Sequence, residues 1–199
     1  RVITDFTNTT AGPCTNLQYG QVEEYGIIFN APSAIQVAAK AFLNGPYDAS
    51  TGLMKDDLRL ATLIPTTEPF TLLGYSFEGG GGETIAPSVF TVTGANAIVD
   101  WVILELRTGL IPAIAASRSA LIQRDGDIVD LNGTSPVSFG LAAGNYHVVV
   151  RHRNHLGIVT LNPVPLSAVA ATVDLTQSGT ATFGSNARRS ITGAFPTLA

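Results

Sequence analysis

The 199-residue chain carries 13% charged and 45% hydrophobic side chains, with 11 Lys and Arg against 15 Asp and Glu for a formal net charge of −4. That balance, with no basic run, gives no broad attraction to phosphate and argues against nucleic acid as a partner. The single cysteine, Cys14, can neither form an intramolecular disulfide nor complete a cysteine zinc site, and no apolar stretch is long enough to cross a bilayer as a helix.

Charged residues are at about half their usual level of roughly 25%. The surface must then be rich in Thr, Ser, Ala, Gly and apolar groups, which suits a domain packed against neighbours better than a free monomer. The opening Arg1-Val-Ile-Thr-Asp-Phe-Thr7 lacks an initiator Met and the order of a signal peptide, and reads as a mature or excised start.

Residues 1–18, rich in Thr, Asn, Gly and Pro, read as an extended arm. A β-favouring run, VEEYGIIF, follows from Val22 to Phe29, with Val22, Tyr25, Ile27 and Phe29 as the residues that would pair it with another sheet edge. Asn30-Ala-Pro-Ser33 then marks a boundary. The expected organisation is an arm and orphan strand over 1–31, a module over 32–180 and a linker or tail over 181–199.

Ile35–Leu43 is the next strand candidate. Residues 44–88, broken by Pro46, Pro65, Pro69, Pro87 and Gly79–Gly82, form one long irregular segment, within which Leu53–Leu63 could make a turn or two of helix. Its aromatics Tyr47, Phe70, Tyr75 and Phe77 could stack on a sugar, with core packing or loop anchoring as the plainer role. Asp56, Asp57, Glu68, Glu78 and Glu83 would act in glycoside hydrolysis only if folding brought a pair together. The glycine run is followed by Glu83 and Thr84 rather than Lys, so it is a loop and not a phosphate cradle.

Ile98–Arg107 is almost continuously apolar and reads as a central strand covered on both faces, with Trp101 in the core. Ser117–Arg124, Asp127–Leu131 and Thr134–Phe139 follow, separated by Asp125-Gly126 and Asn132-Gly133, dipeptides that tolerate the positive φ of tight hairpin turns. Asn145–Arg153, Ile158–Leu161 and Ala168–Leu175 complete the series. Close strand spacing without a long amphipathic helix predicts an all-β fold, an antiparallel β-sandwich with one long irregular loop.

Arg151-His-Arg-Asn-His155, with His147, is the most chemically suggestive cluster. Alternation places His147, Val149, Arg151 and Arg153 on one face and Tyr146, Val148, Val150 and His152 on the other, so the three histidines do not converge along one strand. A metal site would need other ligands such as Asp100 or Glu105; the plainer reading has Arg151, His152, Arg153 and His155 anchoring a strand end, with contact to an anion or sugar as the further alternative. Asp125, Asp127 and Asp130 make calcium the one cofactor the sequence suggests. Gly126 sits in the wrong place for an EF-hand and no terminal Glu follows, so hairpin turns account for the same residues. No nucleophile motif occurs, and no catalytic residue is expected.

Tyr19-Gly-Gln-Val-Glu-Glu-Tyr25 resembles the GEVEDY motif that closes a β-rich domain of secreted Bacteroidetes proteins, with Gln21 and Glu24 departing from it and Cys14 fitting the same pattern. Residues 36–190 resemble an uncharacterised module of such proteins through Gly45-Pro-Tyr47, Leu63-Ile-Pro65, Val99–Val102, Glu105–Arg107, Arg124–Asp130 and Tyr146–Gly157. Phe183–Arg188 resembles the segment leading to a dockerin-like tail. The resemblance implies export, often by type IX secretion, to an extracellular or cell-surface location, and implies no activity. The expected function is a non-catalytic structural or adhesive module that associates with itself or with neighbouring modules, with strand donation as a route to a filament. The alternative is a glycan-binding module using residues 44–88.

Overall fold

The computed structural model describes residues 2–5, 20–23, 34–111 and 113–199. They fall into two compact units, Arg1–Ala31 and Pro32–Ala199. In the first, β1 (Val2–Asp5) pairs antiparallel with β2 (Gly20–Glu23), Val2 opposite Glu23 and Asp5 opposite Gly20. The expected arm thus supplies a strand, and the strand expected from Val22 starts at Gly20 with a partner of its own. Tyr25, Ile27 and Phe29 lie outside the described residues.

The second unit is nearly all β. Its strands are β3 (Ile35–Lys40), β4 (Tyr47–Asp48), β5 (Leu53–Met54), β6 (Ile98–Arg107), β7 (Ile114–Gln123), β8 (Asp127–Val129), β9 (Val137–Phe139), β10 (Gly144–His152), β11 (His155–Val159), β12 (Val164–Leu166), β13 (Ala171–Asp174), β14 (Ser190–Ile191) and β15 (Thr197–Leu198). One large sheet runs β11-β10-β6-β7-β8-β3-β13, with β12 beside β10 and β9 beside β3. Only β13 with β3 is parallel within it. Gln36 N–H donates to Ser167 O just after β12 (2.9 Å), so the far reaches of the sheet meet. The sheet folds over on itself in an all-β, sandwich-like arrangement, as the turn spacing predicts.

Period-two alternation explains how β6 can be buried along its whole length. Val102, Leu104 and Leu106 point into the main core with Ile35 and Val37 of β3, Ile122 of β7 and Val148 and Val150 of β10. Trp101 and Ile103 point the other way, into a second core completed by Ile64, Phe70 and Ile85 from the long irregular segment and by Val89 just after it. That segment is therefore the cover of the sheet's outer face. The β7–β8 turn needs its glycine twice over: Gly126 has φ 92°, and a Cβ there would stand 2.7 Å from the Ala41 carbonyl oxygen.

Within the cover, helix is confined to Asp57–Leu60 and the short 3₁₀ turns Pro87–Thr91 and Gly94–Asn96. The apolar Leu53–Met54 start of the expected helix is a strand instead, because Met54 is needed in the core and its N–H donates to Arg124 O (2.7 Å). Residues 181–199, expected as a linker or tail, bond back onto the module: Phe183 N–H donates to Val159 O (3.0 Å) and the Tyr47 hydroxyl to Phe195 O (2.8 Å).

Glu68 closes the cover. Its buried carboxylate accepts from the N–H groups of Phe70 (2.6 Å), Thr71 (3.1 Å) and Gly82 (3.0 Å) and from the Thr71 hydroxyl, while Thr67 and Thr84 form an antiparallel bridge. Burial works against its charge, but the bonds from Thr71, Gly82 and Phe70 outweigh it and hold the carboxyl below its ordinary range. The stabilisation is thus complete above the unfolded value of about 4.3 and is lost as pH falls through the lower folded value. The sole tryptophan reports on this, since Trp101 Nε1–H donates to Pro65 O (2.9 Å) in the same segment. Acid titration of the native protein should shift Trp101 emission in that window, and Glu68→Gln should blunt the change; identical titrations for the two proteins would refute the clasp.

Candidate functional site

The β6–β10 pairing sets Val149 opposite Glu105 and Arg151 opposite Ile103, which brings the suggestive residues of both strands together. Two charge clusters result, one on each face of the sheet.

On the outer face, the fully buried Glu105 carboxylate accepts from Arg107 through Nε (2.8 Å) and Nη2 (2.6 Å), and from Arg151 Nε through its other oxygen. Both carboxylate oxygens are occupied by guanidinium groups, the geometry of strong charge-assisted bonds. The Tyr75 hydroxyl is buried beside this cluster without a hydrogen bond of normal geometry, and burial followed by the Glu105 charge pushes its pKa up.

On the inner face, near the β10–β11 turn, buried Asp100 accepts from Trp101 N–H (2.8 Å) through one oxygen and lies against His152 Nε2 (3.1 Å) and Arg153 Nη2 (2.6 Å) through the other. A register shift between Val150 and His152 sets His152 opposite His155, with the two Nδ1 atoms 2.9 Å apart. The bonds fix the tautomers. His152 donates from Nε2 to Asp100, so its Nδ1 accepts, taking the Asn154 N–H (3.2 Å) and the His155 Nδ1–H. His155 Nε2 is left as an acceptor. Burial, then the neighbouring His152, lowers the His155 pKa against the opposing pull of Asp100.

Asp100 and Glu105, the candidate partners for a histidine metal site, thus form separate ion pairs. His147 stands apart, its Nδ1 2.9 Å from Thr160 O. No group of three acidic, His or Cys side chains converges as a metal site among the described residues. The three aspartates of the suggested calcium patch take separate partners: Asp125 accepts from Asp127 N–H (3.1 Å), Asp127 pairs with Lys40 (3.0 Å) and Asp130 with Arg118 (2.7 Å).

The four candidate sugar-stacking aromatics are divided between the two cores. Tyr47 packs on Phe42 with ring centres 4.5 Å apart, Tyr75 meets Phe77 edge-on at 4.8 Å, and Phe70 is buried. The structure instead shows a cavity of about 360 Å³ where residues 41–44, β10–β11 and residues 186–189 meet. His152 and His155 line it, together with Leu43, Asn44, Arg188 and Arg189. The sequence singled out His152 and His155, with contact to an anion or sugar among their readings, but not the remaining walls, because Asn44 and Arg189 are far apart along the chain and neither belongs to a motif.

No family model, curated protein or solved structure matches the chain.

Proposed function

We propose that the protein is a non-catalytic structural or adhesive module of an exported surface assembly, and that its copies associate with one another. The observation carrying this reading is where apolar side chains stand exposed. Leu156 lies on β11 and Val169 just before β13, the two strands that end the main sheet, and they are 98% and 79% exposed. Sheet edges with apolar side chains are templates for pairing with another chain unless charge or proline guards them. On β11, His155–Val159, there is no Lys, Arg, Asp, Glu or Pro, and the acids Asp100, Glu105 and Asp130 are held in internal pairs.

The first unit adds to the reading. Its two four-residue strands form a short antiparallel pair, and such a pair gains stability by packing on a further surface, which another copy can supply. The surface location rests on the resemblance at Tyr19–Tyr25 and over residues 36–190.

Sedimentation velocity over a wide concentration range tests the proposal. The native protein should form concentration-dependent oligomers, and Leu156→Glu with Val169→Glu should reduce them. A native protein that stays monomeric throughout would end it. Removing residues 1–31 tests strand donation separately: assembly unchanged by that deletion would assign association to the main sheet alone.

A further inference from the structure

The cavity between residues 41–44, β10–β11 and residues 186–189 has an unusual set of walls. Its apolar part comes from Leu43, Val150, Ile158 and Leu175, which suits the C–H face of a small ring. Arg188 and Arg189 supply positive charge, and no Asp or Glu side chain lines the space to neutralise it. Neither arginine pairs with an Asp or Glu side chain among the described residues. Arg188 Nη1 is used by the carbonyls of Leu175 (2.9 Å) and Gln177 (2.7 Å), which fix its guanidinium in place, while Arg189 is exposed.

The histidine relay adds a constraint that the arginines do not. Because Asp100 orients His152 and His152 accepts from His155, the remaining ring nitrogen of His155 is an acceptor that needs a hydroxyl or N–H donor. That nitrogen lies 3.9 Å from where a Gly45 Cβ would be, beside Asn44 at the cavity wall. A bare anion such as phosphate or acetate would satisfy the arginines and offer nothing to His155. A neutral sugar would satisfy His155 and leave the positive charge of the arginines without a counter-charge in the cavity. One ligand class meets all three features: a ring with an apolar face, a hydroxyl and a carboxylate.

We propose that this cavity binds the uronic-acid residue of an acidic polysaccharide, with its carboxylate at Arg188 and Arg189 and a ring hydroxyl donating to His155 Nε2. The volume admits one or two sugar rings, and the lining amides of Asn44, Asn154 and Asn186 both donate and accept, as a polyhydroxylated ligand requires. This site goes beyond self-association; it shares Leu156 of β11 with the edge invoked for it, whereas Val169 is not part of its lining. It also moves any glycan contact away from Phe70, Tyr75 and Phe77.

The test is calorimetric or NMR titration of the full chain with D-glucuronic acid, with D-glucose and sodium acetate as comparators. Glucuronate should bind saturably with a Kd on the order of 1 mM for a single ring, with glucose and acetate each about tenfold weaker or worse. Arg189→Gln, at an exposed site, should weaken glucuronate about tenfold without changing the circular dichroism or Trp101 emission, and His155→Phe should weaken glucuronate and glucose alike. No saturable glucuronate binding, equal binding of acetate, equal binding of glucose, or glucuronate binding indifferent to Arg189→Gln would each overturn the proposal. Because Val169 is not part of the lining, Val169→Glu, which weakens assembly, should leave glucuronate binding as in the native protein.

Discussion

Glu105→Ala should cost the fold about 3–5 kcal/mol, the size of effect expected when one partner of a buried ion pair is removed and the other keeps its charge. The Glu105 side chain is 0% exposed, and those of Arg107 and Arg151 are 11% and 40% exposed. Arg107 is therefore the residue stranded by the change, because its guanidinium has little water to turn to. Arg151 can swing outward, so Arg151→Ala should cost much less, near the range of about 0–1 kcal/mol for solvent-facing pairs. Glu105→Gln keeps the shape but loses the charge and should fall between the two. Urea denaturation followed by circular dichroism measures all three, and a similar midpoint for Glu105→Ala and Arg151→Ala would refute the assigned burial. A compensating change supplies a further check. Replacing Glu105, Arg107 and Arg151 together with apolar residues of similar volume should recover much of the loss, since no charge is then left unpaired.

Fold class was legible because the strongest local signals and the tertiary structure agree. Ile98–Arg107 has apolar residues at both odd and even positions, which a strand needs only when both its faces are covered, and β6 has those bounds. Asp125-Gly126 marked a turn that only glycine fits. What the sequence concealed is how far residues 44–97 serve the fold: their apolar positions have no simple period, because each is placed by the groove it fills rather than by helix or strand geometry. Val164–Leu166 was not foreseen as β12, since Pro165 disfavours a strand interior; it is accommodated opposite Asn145, beside the end of β10. The pairing of residues 181–199 with the module was invisible for a different reason, that it rests largely on backbone groups every residue possesses.

The charge clusters show the same division. Alternation correctly separated Arg151 from His152 by face but grouped Arg153 with Arg151, whereas β10 ends at His152 and the turn brings Arg153 to Asp100 beside His152; Asp100 and Glu105 were the acids named as possible companions. Which acid met which base depended on the β6–β10 register and on the irregularity at β11, neither written in local sequence. That register is what turns a suggestive run into two different devices. One is an outer cluster saturated by its own arginines; the other is a relay from Asp100 that leaves an acceptor on His155 at a cavity.

Trp101→Ala should be the most damaging change to the cover over the outer face, with a cost of about 3–5 kcal/mol for an aromatic truncated in a closed core. Trp101 is fully buried between the sheet and Ile64, Phe70 and Ile85, and its indole N–H is the direct bond from β6 to the Pro65 carbonyl. The variant therefore leaves both a void and an unpaired acceptor. The damage should be unequal across the molecule, because Trp101 faces the second core while Val102 and Leu104 face the first. Hydrogen exchange should accelerate most at Glu68 and Ile85, whose N–H groups bond to Glu83 and Thr66 across the neck of the cover, and least in β3, whose side chains belong to the main core. Trp101→Phe, which refills most of the void but cannot donate to Pro65, should lose less stability and still quicken exchange at the neck. Uniform acceleration through both cores would show instead that the cover and the sheet unfold as a single cooperative unit, with no separate role for the indole bond.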